Sequence, residues 1–276
     1  MAALETLGVR TLITVLFGPL ILVAAWLGGA FFLAVVAVIV ILAMHEFYSM
    51  GRQKGTHPAT FLGIASGAAL SLLLFLDHLT HIWLLLIGAF LLIVTVELFR
   101  NRDAPMLNVA VTLMGLFYIA LPFGFLILIR ELPGHMGRSA SLGGELVILI
   151  FLAIWICDSA AYILGARFGK HKLFTRVSPN KTIEGTLFGF VFALVTAYVS
   201  HVTFLGALGL GETLVIGAIC GSVGQVSDLI ESLFKRDAGV KDSSSLIPGH
   251  GGVLDRFDSE ILVAPVVYLY LRFLVV

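Results

Sequence analysis

Charge is scarce in this sequence. Lys and Arg together number 17 and Asp and Glu 17, only 12% of 276 residues. A soluble domain usually carries about 25%. The two signs cancel, so no basic excess is available for a nucleic-acid backbone, and nucleic acid is excluded as a partner. Cysteine is nearly absent. Cys157 and Cys220 both lie in apolar runs, where they read as small buried helix residues and not as a disulfide or metal pair. No polar stretch exceeds about 25 residues, too short to build a soluble core, and there is no internal repeat. Apolar side chains are abundant instead: 59% of residues are hydrophobic, with 21 Phe and 29 Gly, and mean hydropathy is +1.05. That composition excludes disorder, and a soluble fold could not hide so much apolar surface.

Nine apolar segments follow one another at roughly 11–27, 29–48, 59–76, 81–98, 107–129, 144–165, 183–205, 211–234 and 259–275. Each is near the length needed to cross about 30 Å of hydrocarbon as a helix. They are apolar on all sides, which argues against the period-2 pattern of a barrel. The run from Leu12 to Met44 is too long for the core of one signal peptide and reads as two spans. The expected fold is an all-α polytopic integral membrane protein of about nine transmembrane helices. Residues 1–130 supply about five spans. Residues 131–276 supply about four and carry the chemistry.

The charges give an orientation. Arg10, Arg52, Lys54, Arg100, Arg102, Arg167, Lys170, Lys172, Arg176, Lys181, Lys235, Arg236, Lys241 and Arg256 fall on alternate connections, 14 of 17 basic residues on one side. Only Arg130, Arg138 and Arg272 fall on the other. The positive-inside rule then places the N-terminus in the cytoplasm and the C-terminus outside, in what reads as a bacterial inner (plasma) membrane. Two cytoplasmic connections, 166–182 and 235–258, are long, basic and rich in Gly, Ser, Pro and His. They point to an active site on the cytoplasmic side, between the late helices.

A carboxylate inside a bilayer costs about 2.5–3.5 kcal/mol on insertion scales and is a functional candidate by default. Segment six carries Asp158, with Tyr162 on the same helix face, and segment eight carries Asp228, Glu231 and Lys235 on one face. Glu231 reads equally well as the partner of Lys235. The stretch Lys241–Asp258 sets Pro248, Gly249, His250, Gly251 and Gly252 beside Asp255, Arg256 and Asp258. Its glycines let backbone N–H groups approach an anion closely. Asp228, Asp255 and Asp258 form a hard-oxygen set suited to Mg²⁺. Alone, such a loop reads as an ordinary connection that caps segment nine. A third cluster, Ser178-Pro179-Asn180-Lys181-Thr182, reads as an N-cap and first turn that would attract an anion, or as simple capping. The spacings Ala161/Gly165, Gly185/Gly189 and Gly217/Gly221 permit close helix approach in lipid.

The run from Ser232 through Lys235, Arg236, Lys241, Asp242, Pro248, His250, Gly251, Gly252, Asp255 and Arg256 to Asp258 resembles the signature of phosphatidate cytidylyltransferases, also called CDP-diacylglycerol synthases. Trp155–Tyr162 and Ser178–Gly185 resemble that family too. The resemblance is specific over 155–258; over 1–130 it rests on hydropathy and length. It implies transfer of CMP from CTP to phosphatidic acid, giving CDP-diacylglycerol and pyrophosphate. It also implies Mg²⁺, a second cation such as K⁺, and a homodimer in the lipid bilayer. By that resemblance Asp228, Asp255 and Asp258 serve the metal. Lys241, Lys235, Arg236 and Arg256 hold phosphates. His250, Gly251 and Gly252 shape the nucleotide site, and Ser178, Lys181 and Asp158 line it.

Two other classes compete. An ion-coupled transporter could use intramembrane carboxylates, but would be expected to show matching polar breaks in two repeats, which are not seen. A CDP-alcohol phosphotransferase would need its own Asp-rich pattern, which the sequence lacks.

Overall fold

The computed structural model of the chain describes residues 18–135, 139–246 and 251–275. The elements in order are α1 (described over Gly18–Leu27), α2 (Gly29–Gln53), α3 (Thr60–Phe75), α4 (Leu79–Arg100), α5 (Pro105–Met114), α6 (Leu121–His135), α7 (Ala140–Phe168), β1 (Lys172–Phe174), β2 (Ser178–Thr182), α8 (Ile183–Thr203), α9 (Leu210–Asp237) and α10 (Glu260–Tyr270). A π-helical turn at Gly115–Ala120 joins α5 to α6, and another at Leu271–Val275 continues α10. Among the described residues, six helical stretches are long and apolar enough to cross a membrane: Gly29–Gln53, Thr80–Arg100, Pro105–Gly134, Ala140–Phe168, Ile183–Thr203 and Leu210–Asp237. This is the architecture of an all-α membrane protein, in which each helix satisfies its own backbone hydrogen bonds.

Two helices outrun their apolar segments. The second expected segment stops at 48, yet α2 continues to Gln53, where Arg52 donates to Ser49 Oγ and Thr60 Oγ1. The eighth stops at 234, yet α9 continues to Asp237. Lys235 and Arg236 are therefore last-turn helix residues and not loop residues. Cations are favoured there by the unpaired carbonyls of the helix end.

The Ser178 cluster is a correction. Ser178–Thr182 is a strand paired antiparallel with Lys172–Phe174, so Ser178 is not an N-cap and Pro179 is not a first helical residue. The cap is Thr182, whose extended backbone lets its Oγ1 accept from Gly185 N at 3.1 Å. The signal of a small hydroxyl residue before an apolar run was right in kind and four positions early.

The chain divides into two compact units. One comprises Met1–Leu128 with Asp237–Phe257, the other Ile129–Arg236 with Asp258–Val276. In the first, buried Tyr48 donates to Thr112 O at 2.8 Å. Its ring lies against Gly63 and Gly115, where any Cβ would overlap it. Glu97 accepts from Arg100 at 2.8 Å and Asn108 Nδ2 at 2.6 Å, while Asn108 Oδ1 accepts from His57 N at 2.6 Å.

In the second unit, close helix approach runs through the small residues expected from their spacing. A Cβ on Gly165 would stand 3.0 Å from Gly185 Cα, and one on Gly189 would stand 2.9 Å from Cys157 Sγ. On the other face of α8, a Cβ on Gly217 would meet Ala197 Cβ at 2.6 Å, and one on Gly221 would meet Ala193 Cβ at 2.9 Å. Side chains of ordinary size are thus excluded from the α7–α8 and α8–α9 seams.

Contacts within each unit gather connections at common ends. In the first, Arg100 donates to His57 O at 2.7 Å, and Lys54 pairs with Asp237 at 2.5 Å. In the second, Arg236 Nε donates to Val177 O at 3.3 Å. Elsewhere in that unit Ser139, Ser141, Leu142 and Glu145 line one cavity with Phe204 and Ala207.

Candidate active site

The candidate residues fall into two sets, one in each unit. In the second unit, the β1–β2 hairpin delivers Lys181 to the middle turns of α9. Its Nζ lies 2.5 Å from Asp228 Oδ2, with both side chains about three-quarters buried. Ser232 Oγ donates to Asp228 Oδ1 at 3.4 Å. One turn along, Glu231 pairs with Lys235 at 2.6 Å, both buried, so the pairing reading of Glu231 holds. Ser227, fully buried on α9, donates to Asp258 O at 2.5 Å and accepts from Leu262 N at 3.3 Å. This one hydroxyl fixes the start of α10 and the backbone at Asp258.

Negative charge accumulates around Asp258. Burial pushes its carboxyl well above the usual carboxylate range, and Asp228, Glu231, Asp158 and Glu260 push it the same way. Glu260 is 1% exposed and neither of its oxygens has a hydrogen-bond partner among the described residues. Carboxylates are hard-oxygen donors of the kind a divalent cation takes. Among the described residues, however, no three His, Cys, Asp or Glu side chains are already drawn together as a metal cage. Asp158 lies on an exposed part of α7, Ser178 is half-buried on β2, and Arg236 is exposed.

In the first unit, the segment after α9 returns to α2 and is held there by Glu46. This carboxylate is 2% exposed. Its Oε1 accepts from Ser244 Oγ at 2.7 Å and Val253 N at 2.9 Å. Its Oε2 accepts from Ser243 Oγ at 3.0 Å and Leu254 N at 2.8 Å. Asp255 Oδ2 closes the same loop, accepting from Ser243 N at 2.9 Å, Ser243 Oγ at 2.9 Å and Gly252 N at 2.7 Å. The single hydroxyl hydrogen of Ser243 serves one of the two carboxylates at a time.

The glycines are required by these contacts. Gly251 has φ of 80°, and a Cβ there would lie 2.6 Å from Asp255 Oδ2. A Cβ on Gly252 would overlap Ser243 Oγ and Glu46 Oε2. Lys241 and Arg256 flank the loop and are exposed. His250 lies outside the described residues. The sequence reading missed Glu46, although it is a carboxylate in an apolar segment and met the rule that singled out Asp158 and Asp228. It also passed over Glu260.

The apolar helices define an integral membrane protein, with one polar cluster in each of its two units. The chain matches the cytidylyltransferase family over residues 8–274 and belongs to that family. It is 35% identical to the phosphatidate cytidylyltransferase of Synechocystis over 275 residues, 88% of this chain and 89% of the relative. It is 32% identical to the phosphatidate cytidylyltransferase of Staphylococcus saprophyticus over 270 residues, 95% of this chain and 98% of the relative. With that of Staphylococcus haemolyticus it shares 33% identity over 269 residues.

Proposed function

We propose that this chain transfers CMP from CTP to phosphatidic acid in the membrane, forming CDP-diacylglycerol and pyrophosphate. The observation that carries the reading is the complete match of Ser232–Asp258 to the family signature, inside a family match that runs along residues 8–274. Family membership gives no support to ion-coupled transport.

The attacking group is a lipid phosphate oxygen, already anionic near neutral pH, so a strong general base is not needed. The difficulty is to bring a triphosphate and a lipid phosphate together. Lys241 and Arg256, exposed beside the clasped loop, are suited to hold CTP phosphates, with Lys235 and Arg236 nearby in sequence. By the resemblance His250, Gly251 and Gly252 shape the nucleotide site, and Ser178, Lys181 and Asp158 line the substrate site.

Mg²⁺ is the cation that the family implies, and the second unit supplies oxygens that suit it. Asp228 and Asp258 would hold it, and it would neutralise phosphate charge and the developing charge on pyrophosphate. The resemblance gives Asp255 the same duty, and in the structure its Oδ2 also shapes the loop. K⁺ as a second cation and a homodimeric assembly rest on the resemblance.

Nine spans with the N-terminus in the cytoplasm complete the proposal. The 14-to-3 charge split supports it. So do contacts that join alternate connections, His57 with Arg100 and Val177 with Arg236.

The test is pyrophosphate release by the purified protein from CTP. Release that requires both phosphatidic acid and Mg²⁺, and stops on chelation, supports the reading. Release without phosphatidic acid, or none at all, contradicts it.

A further inference from the structure

The clasp between Glu46 and the glycine-rich loop ties an early apolar helix to a segment about 200 residues away. A buried carboxylate is costly unless donors replace the water it loses. Four donors do so here, and all four come from the loop some 200 residues away, at separations of 197, 198, 207 and 208. Two stand before the glycines and two after them. The loop is therefore pinned on both sides of Gly251 and Gly252 by one side chain of α2, and Asp255 ties the same two sides a second time.

We propose that Glu46 is a positioning residue of the nucleotide site. It holds Ser243 and Ser244 together with Val253 and Leu254, so that Lys241 and Arg256, just outside the clasp, are held ready for the phosphates of CTP. It does not itself touch the nucleotide. Its place is set by the acceptor count, because each of its oxygens takes one serine hydroxyl and one backbone N–H. An amide in its place turns an NH₂ toward one of those pairs whichever way it is rotated. The serine can rotate away, but Val253 N or Leu254 N is left facing a donor. Glu46→Gln keeps the volume of the side chain and removes half of the clasp. A loop held in place before substrate arrives owes its rate advantage to ordering already completed, so loosening it should weaken CTP use selectively.

The proposal rests on the cytidylyltransferase reading, and two measurements separate their failures. The first is hydrogen exchange of the detergent-purified protein without substrate. In Glu46→Gln, amides in peptides covering 243–254 should exchange about ten-fold faster or more, while peptides from α7 and α8 stay as in wild type. The second is steady-state kinetics. The KM for CTP should rise about ten-fold or more, with the KM for phosphatidic acid within about twofold. Ser243→Ala combined with Glu46→Gln should then cost less than the product of the single effects, because both loosen one clasp. Unchanged loop exchange would overturn the proposal. So would equal losses for both substrates accompanied by faster exchange throughout the protein, the mark of a merely structural residue. Wild-type protein that turns over no CTP would overturn the function itself. Wild-type turnover with a KM for CTP unmoved by Glu46→Gln would overturn the positioning role alone.

Discussion

Lys181 Nζ and Asp228 Oδ2 lie 2.5 Å apart, although 47 residues separate them in sequence. The family resemblance places the first in the lining of the substrate site and the second at the metal. They neutralise each other, at a point where either charge alone would be expensive to bury. Lys181→Met should therefore do two things. The charge-assisted phosphate contact is worth about 1.5–3 kcal/mol, so kcat/KM should fall about 10- to 150-fold. The Asp228 carboxylate, relieved of its ammonium, should bind Mn²⁺ more tightly, as followed by electron paramagnetic resonance of the substrate-free protein. Turnover within about twofold of wild type would limit Lys181 to charge neutralisation.

Gly252 has no room for a methyl group. A Cβ there overlaps Ser243 Oγ and Glu46 Oε2, both of which are held by hydrogen bonds. Gly252→Ala should force the clasp open and abolish most activity, whereas Gly88→Ala, in helix α4 with open space around it, should leave folding and activity far less affected. Comparing the two variants for CTP turnover and recovered protein checks the argument. Equal activity would mean that the loop relaxes without penalty.

The cap of α8 is Thr182 and not Ser178. Thr182→Val, close in shape but unable to accept from Gly185 N, should destabilise the protein by about 0.5–2 kcal/mol. Thr182→Ser should recover most of that loss, and Ser178→Ala should cost little. Denaturant titration of the purified protein, with the same readout for all three, distinguishes the two residues. A larger loss at Ser178 would restore the capping role first read from the sequence.

Lys241 and Leu246 are both exposed near the glycine-rich loop, and only one carries charge. Lys241→Ala should lower kcat/KM for CTP by about 10- to 150-fold, the worth of one charge-assisted contact. Lys241→Arg should retain more, because an ammonium beside a phosphate acts mainly as a point charge. Leu246→Ala should change CTP kinetics much less. The reverse ranking would make the loop's apolar seating, and not its charge, the main determinant.

Much of this molecule was legible in the sequence because lipid imposes so few options. Long apolar runs must be helices, and small residues at Gly217/Gly221 or Ala161/Gly165 matter only if another helix comes close. Both pairs do lie in helix seams. The ends were less legible. Helix α9 extends to Asp237 because its last-turn cations are stabilised by local pairing, such as Glu231 with Lys235, which hydropathy ignores. The strand at Ser178–Thr182 depends on pairing with Lys172–Phe174, which no single-segment signal encodes. In the site, Asp228, Lys181 and the glycine-rich loop stood out by residue type. Glu46 did not, since its meaning lies in donors about 200 residues away. Asp255 shows a different gap. Residue type marked it as important, but not that its Oδ2 would take Ser243 and Gly252 as donors.

The most direct test of the central claim is to follow the phosphorus atoms of CTP. Purified protein would be incubated with phosphatidic acid, Mg²⁺ and CTP labelled with ³²P at either the α or the γ position. The account predicts that α-label moves into a lipid in step with pyrophosphate release, and that γ-label leaves entirely as pyrophosphate. Label from the γ position in the lipid, or α-label that stays water-soluble while CTP is consumed, would contradict it.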